Sequence, residues 1–172
     1  VVKLQNLATS ALRPTYDRWA KKLPQQGVLG IDETSNKQAG EKAWLWTFVA
    51  KSFTVFRFRT TRSASVLTEM LGDQFAGVVN CDRAKMYLSQ SKLQWCWSHL
   101  IRDWQSLIDS GNGARKRLGH DLMRPTRTMF ELWRRYRDGT LTRAKLQAAM
   151  APLRTEIEGL LLRGEFAGIG MA

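Results

Sequence analysis

Val28-Leu29-Gly30-Ile31-Asp32-Glu33 is the stretch on which the reading of this chain turns. A short apolar run after Gly27 predicts a buried-type strand, and it ends on a carboxylate. The pattern returns at Gly77-Val78-Val79-Asn80-Cys81-Asp82, a second short apolar strand closed by an aspartate. Between the two, Ala43 to Ala50 (AWLWTFVA) and Phe53 to Arg59 (FTVFRFR) are rich in aromatic and β-branched residues. Only Lys51-Ser52 separates them, which predicts a β-hairpin with its aromatic side chains in the core. Thr34 to Gly40 reads as a polar turn. Ser63 is placed to cap a helix carrying Val66, Leu67, Met70 and Leu71 and closed by Gly72. Leu93 to Cys96 predicts one more strand.

Helices flank this strand-rich region. Leu4, Leu7, Ala8, Ala11, Leu12, Tyr16 and Trp19 recur at three- and four-residue spacing, predicting a helix over 4–22. Pro14 is expected to kink or divide it, because proline removes a helical donor. A short helix is read over Arg83 to Ser89, and Ser98 to Asp109 is amphipathic. From Gly111 the strand pattern disappears. Two helical stretches, near 116–136 and 142–162, are expected to break at Pro125, at Asp138-Gly139 and at Pro152, and no element is read in the tail from Gly164. The succession predicts an α/β fold: a mixed five-stranded sheet flanked by helices, then a mostly helical part. Three segments follow: a helical lead-in over 1–27, a core over 28–110 and helices over 111–172.

The 172 residues carry 27 Lys+Arg against 15 Asp+Glu, a net charge of +12. At 44% hydrophobic with seven Trp and seven Phe, the chain can bury a core, which argues against disorder. No apolar run approaches the roughly 20 residues of a bilayer span. The start lacks the layout of a secretory signal and also lacks Met, so a fragment is expected. Two cysteines, Cys81 and Cys96, make no disulfide framework, which places the protein in a reducing cytoplasm. The positive charge is densest from Arg115 to Lys145, where ten basic residues face only Asp121, Glu131 and Asp138. Such a field attracts polyanions by Coulomb steering and counterion release, so a nucleic acid is the expected partner. Arg124, Arg127, Arg134 and Arg135 would supply phosphate contacts without base reading, and Arg57 and Arg59 at the hairpin end are further candidates.

If the strands ending in Asp32 and Asp82 are neighbours, their carboxylates converge at a sheet edge of the kind that binds ligands in open α/β sheets. Two converged carboxylates repel each other and gain from a shared divalent cation. Oxygen ligation suits Mg²⁺ or Mn²⁺, and two such ions would serve phosphodiester chemistry. Glu33, one residue on, points to the opposite face of the strand and reads as a supporting or surface group.

Four blocks occur in order: Leu29-Gly30-Ile31-Asp32-Glu33-Thr34, Lys42-Ala43-Trp44-Leu45-Trp46, Gly77 to Asp82 with Tyr87, and Cys96-Trp97-Ser98-His99-Leu100-Ile101-Arg102-Asp103. Together they resemble the insertion-sequence-66 transposases over residues 28 to 108. The resemblance implies an RNase H-like core of the DDE type, which cuts transposon ends and joins them to target DNA with divalent metal. It implies Asp32 and Asp82 as the first two catalytic carboxylates, action as a homo-oligomer on paired ends, and a bacterial protein associated with the nucleoid when bound. The family's catalytic Glu lies in a later block with an Asn-Asn pair and an Ala-Glu-Arg run, which has no counterpart here. Glu156, Glu158 and Glu165 stand in a different context. A chain cut inside or just after the helical insertion is therefore expected, binding DNA and metal but not cleaving. Another RNase H-like nuclease and a non-catalytic basic DNA-binding remnant are the competing readings.

Cys96 and His99 have the C-x-x-H spacing that zinc sites use, but two or three candidate ligands do not close a tetrahedral site. The resemblance makes them a family signature beside the active site, which implies a supporting role, such as His99 orienting Asp82 or a metal-bound water. Arg102, beside the second catalytic strand on this reading, is a candidate for a flanking phosphate or for an ion pair with Asp103 or Asp109.

Overall fold

The computed structural model describes residues 1–166, the side chains of Glu165 and Phe166 excepted. It contains two compact units, Val1–Cys96 and the residues from Trp97 onward. The first holds helix α1 (Val2–Ala20), strands β1 (Val28–Gln38), β2 (Glu41–Val49) and β3 (Thr54–Arg59), helix α2 (Ala64–Leu71), and strands β4 (Val78–Cys81) and β5 (Leu93–Trp95). The second holds helices α3 (Trp97–Ile108), α4 (Gly113–Arg137) and α5 (Arg143–Phe166).

The five strands form one mixed sheet in the order β3-β2-β1-β4-β5. β1, β2 and β3 are successive antiparallel neighbours, whereas β4 runs parallel to β1, and β5 parallel to β4. This is the RNase H-like arrangement: three antiparallel strands, then two parallel strands reached through helical crossovers. Parallel neighbours require such crossovers because a tight turn cannot reverse the chain twice. α2 supplies the first and a short 3-10 turn over Lys85–Ser89 the second.

Alternation along the strands decides which face is core. Leu29, Ile31, Trp46, Phe48, Val55, Val79 and Cys81 point to one face and pack with Val66, Leu67 and Leu71 of α2, and with Leu23 and Tyr87. On the other face Val28, Asp32, Val49, Phe56, Phe58 and Asn80 are exposed. The aromatic hairpin is thus core only on one side: Trp46 and Phe48 are buried, while Phe56 and Phe58 keep 55% and 44% of their surface in contact with solvent.

Several local expectations change in the folded chain. Thr34 to Gln38 is strand, pairing with β2 as far as Gln38↔Glu41. The reversal is confined to Ala39-Gly40, both at positive φ, as a two-residue hairpin turn of right twist demands. Pro14, Pro125 and Pro152 all lie inside continuous helices; of the expected breaks only the one at Asp138-Gly139 occurs, within the 138–142 link between α4 and α5. α5 also runs past Gly164, and residues 167–172 of the tail lie outside the described part. Ser63 does occupy the N-cap position of α2, yet its hydroxyl meets Ser65 Oγ at 2.6 Å and caps no backbone amide.

In the second unit Leu100, Trp104 and Leu107 of α3 pack on Leu122 and Met123 of α4 and Leu160 of α5. Gly119 lets α3 and α4 approach closely, since a Cβ there would lie 2.7 Å from the Trp104 carbonyl oxygen. Asn112 caps α4, its Oδ1 accepting from the amides of Ala114 and Arg115 at 2.9 and 3.2 Å.

Candidate active site at the β1 and β4 strands

β1 and β4 pair as Val28↔Val78, Leu29↔Val79 and Gly30↔Asn80. The pairing ends there, so Asp32 lies two residues beyond it on β1, and Asp82 directly follows the last residue of β4. Asp32 is exposed, on the open face of the sheet, and its Oδ1 accepts the Glu33 amide at 3.0 Å. Asp82 stands where β4 has ended, at the rim of the sheet. Its Oδ1 accepts the Ala84 amide at 2.8 Å, which turns the chain toward the 3-10 segment, and its side chain is 21% exposed.

Glu33 was expected to be a supporting or surface residue; its side chain is entirely withdrawn from solvent, on the core face. Two groups hold it there. Tyr87 donates its hydroxyl proton to Oε2, and Arg62 donates to Oε1 from Nε at 2.6 Å and approaches it with Nη2 at 2.5 Å. Burial raises the Glu33 pKa above the usual carboxylate range, although the Tyr87 and Arg62 hydrogen bonds pull the other way. Burial, and then the bond to Glu33, raises that of Tyr87. The same Arg62 carries Nη2 to 3.5 Å from Asp82 Oδ2 and lies over the Trp44 ring, 5.2 Å from its centroid. Sequence reading missed Arg62: it sits in the Thr60-Thr61-Arg62 linker, away from any block, and only folding brings it to two carboxylates.

Carboxylates such as those of Asp32 and Asp82 are hard oxygen donors of the kind that suits Mg²⁺ or Mn²⁺, which take one or two protein carboxylates and keep their remaining waters. The stand-in is visible: a guanidinium already occupies the approach to Asp82 Oδ2, so positive charge is favoured there. Among the described residues no group of three His, Cys, Asp or Glu is arranged to hold a metal.

The other candidate residues are spread over both units. Arg57 and Arg59 lie on the face opposite Asp32, since Arg57 pairs with Trp46 and Trp46 with Glu33. Both bind Glu69 of α2: Arg57 Nη2 reaches Oε1 at 2.9 Å and Arg59 Nε reaches Oε2 at 2.7 Å. Their hydrogen bonds, Arg59's first, outweigh burial and lower the Glu69 pKa below the usual carboxylate range. Cys96 follows β5, and its amide donates to the Cys81 carbonyl at 2.7 Å. The Cys81 thiol is buried, which pushes its pKa up to about 12. In the second unit His99 lies in the first turn of α3, with Nδ1 buried and without a hydrogen-bond partner among the described residues, and Arg102 is exposed. On α4, Arg124 pairs with Glu156 at 2.8 Å, whereas Arg127, Arg134 and Arg135 are exposed.

The model of the Transposase IS66 family matches residues 3–165, nearly the whole described chain. The chain belongs to that family. No curated protein sequence matches this IS66-family chain. Among solved structures, a chain of the simian T-cell lymphotropic virus intasome, determined by cryo-electron microscopy in complex with PP2A regulatory subunit B56 gamma, aligns at 12% identity and a TM-score of 0.34. That alignment covers 72% of this chain and 46% of the other, so this chain spans under half the length of that neighbour. Among the described residues no helix is long and apolar enough to cross a membrane.

Proposed function

We propose that this chain is the core of a DNA transposase in which Asp32 and Asp82 together hold a divalent cation, Mg²⁺ or Mn²⁺, and the basic helix α4 holds DNA. The observation that supports this reading is the parallel pairing of β1 and β4 as central neighbours of the sheet, with Asp32 on β1 and Asp82 directly after β4. The roles follow from the surroundings. Asp32 offers its carboxylate from the solvent side, where a phosphodiester can approach. Asp82 is oriented by the Ala84 amide on one oxygen, and its other oxygen has the Arg62 guanidinium at 3.5 Å. A bound divalent cation would supply activation of a nucleophilic oxygen and stabilisation of the leaving oxygen. Glu33, the further carboxylate nearby, is buried and held by Arg62 and Tyr87, and on this reading the chain binds metal and DNA without completing strand cleavage by itself. Cys96 and His99 are supporting residues on this reading, and paired-end action makes a homo-oligomer on DNA the working form, in the cytoplasm and on the nucleoid. The three-segment division, 1–27, 28–110 and 111–172, is part of the same proposal.

The test is titration of the intact chain with Mn²⁺, followed by paramagnetic resonance. Binding lost in both Asp32→Asn and Asp82→Asn supports the shared site. Binding indifferent to both substitutions overturns it and leaves a plain basic DNA binder. Robust Mg²⁺-dependent nicking abolished by Asp32→Ala would instead refute the incompleteness of the site.

A further inference from the structure

The Glu33, Arg62, Tyr87 and Asp82 cluster holds a charge arrangement that the metal-binding reading does not use. Asp82 has both oxygens engaged, but unequally. Oδ1 is fixed by a backbone amide at 2.8 Å; Oδ2 faces a guanidinium at the longer distance of 3.5 Å. Arg62 is anchored elsewhere: Glu33 Oε1 holds it at 2.5 to 2.6 Å, and Trp44 lies against its flat face. Its side chain remains 39% exposed, so the contact with Asp82 can open without uprooting the arginine. The Glu33 carboxylate, wholly buried, has Tyr87 on its second oxygen and is thereby fixed in turn.

Resting on the proposed metal site, we infer that Arg62 is an ionic latch: a resident counter-cation that Glu33 and Tyr87 park beside Asp82, and that competes with the divalent cation for Oδ2. Without metal the latch offsets the mutual repulsion of the carboxylates. When a cation arrives, Arg62 releases Asp82 and stays on Glu33. Arg62, Glu33 and Tyr87 are positioning residues, acting through Asp82.

Competition and mere structural support predict opposite signs. Arg62→Gln removes the competing charge and keeps a hydrogen-bonding group for Glu33, so Mn²⁺ binding to the full chain should tighten, by about tenfold for one unit charge near a half-exposed site. Glu33→Gln leaves Arg62 without its anchor charge and should weaken Mn²⁺ binding to a similar extent. Arg62→Lys restores the charge and should return the affinity to within about twofold of the parent. A merely structural role would weaken binding in every one of these variants, and circular dichroism establishes that each is folded. Asp32→Asn separates the two levels of the argument. If it abolishes binding while Arg62→Gln leaves the affinity unchanged or lower, the latch is overturned and the metal site stands. If it has no effect on binding, the metal site and the latch both fall. A parent chain silent toward Mn²⁺ supports the latch if Arg62→Gln uncovers binding, and overturns both ideas if it does not.

Discussion

Removing the exposed arginines of α4 should change how DNA binding depends on salt, and the size of the change can be worked from the helix. Arg117, Arg124, Arg127, Arg134 and Arg135 fall within one arc of α4, because seven residues bring an α-helix back to nearly the same face. From Arg117 to Arg135 the axis rises about 27 Å at ~1.5 Å per residue, the length of about eight base pairs. Arg124 already spends its charge on Glu156 at 2.8 Å. Arg127, Arg134 and Arg135 have no carboxylate partner among the described residues and are the ones available to phosphate. Each phosphate contact contributes about 0.9 to the slope of log K against log salt, so Arg127→Ala, Arg134→Ala and Arg135→Ala combined should flatten that slope by about 2.7. Fluorescence anisotropy with a random-sequence duplex, measured from about 50 to 200 mM salt, reads the slope directly. Arg57→Ala with Arg59→Ala is the contrasting pair. Their guanidiniums are held by Glu69, so the slope should stay within error while the hairpin loses its tie to α2. An unchanged slope in the α4 triple variant, or a larger drop in the Arg57/Arg59 pair, would refute this assignment of the DNA-facing charges.

Thr126 is 1% exposed; its hydroxyl accepts the Trp104 indole N–H at 3.1 Å and donates to the Leu122 carbonyl at 2.8 Å. Thr126→Val keeps the volume but strands the buried indole N–H, and should cost about 1–3 kcal/mol in urea denaturation. Most of that cost should vanish in a Trp104→Phe background, and equal costs in both backgrounds would show that the bond is not the source. Glu69, its pKa lowered by Arg59 and Arg57, contributes stability that is fully present above the usual carboxylate range and is lost as pH falls through its depressed folded value. Glu69→Gln should therefore be less stable than the parent at neutral pH, with the gap closing on acidification. A gap that widens in acid would reverse the sign of the linkage.

Much of the architecture was legible along the chain. Alternation and apolar runs marked β1, β4 and the β2–β3 hairpin, because a strand half-buried on a core repeats every two residues regardless of its neighbours. The four ordered blocks likewise pointed to the family that the match over residues 3–165 bears out. Failures came where pairing or packing overrides local preference. Thr34 to Gln38 carries no strand-forming run, yet it is strand because β2 hydrogen-bonds its backbone out to Gln38. Pro125 is buried and sits within α4, where the packing of that helix on α3 and α5 outweighs one missing amide donor. Phe56 and Phe58 read as core by type, but the register assigns them to the open face.

Sequence alone determined the two aspartates, each at the end of an apolar run, and the concentration of positive charge after residue 114, since both are properties of residue order. Only the tertiary structure decided what surrounds them. The partners of Glu33 are 29 and 54 residues away, and those of Arg57 and Arg59 lie on a different element. Charges and hydrogen bonds act through space over a few ångströms, and no periodicity in a chain records which distant side chains folding will bring within that reach.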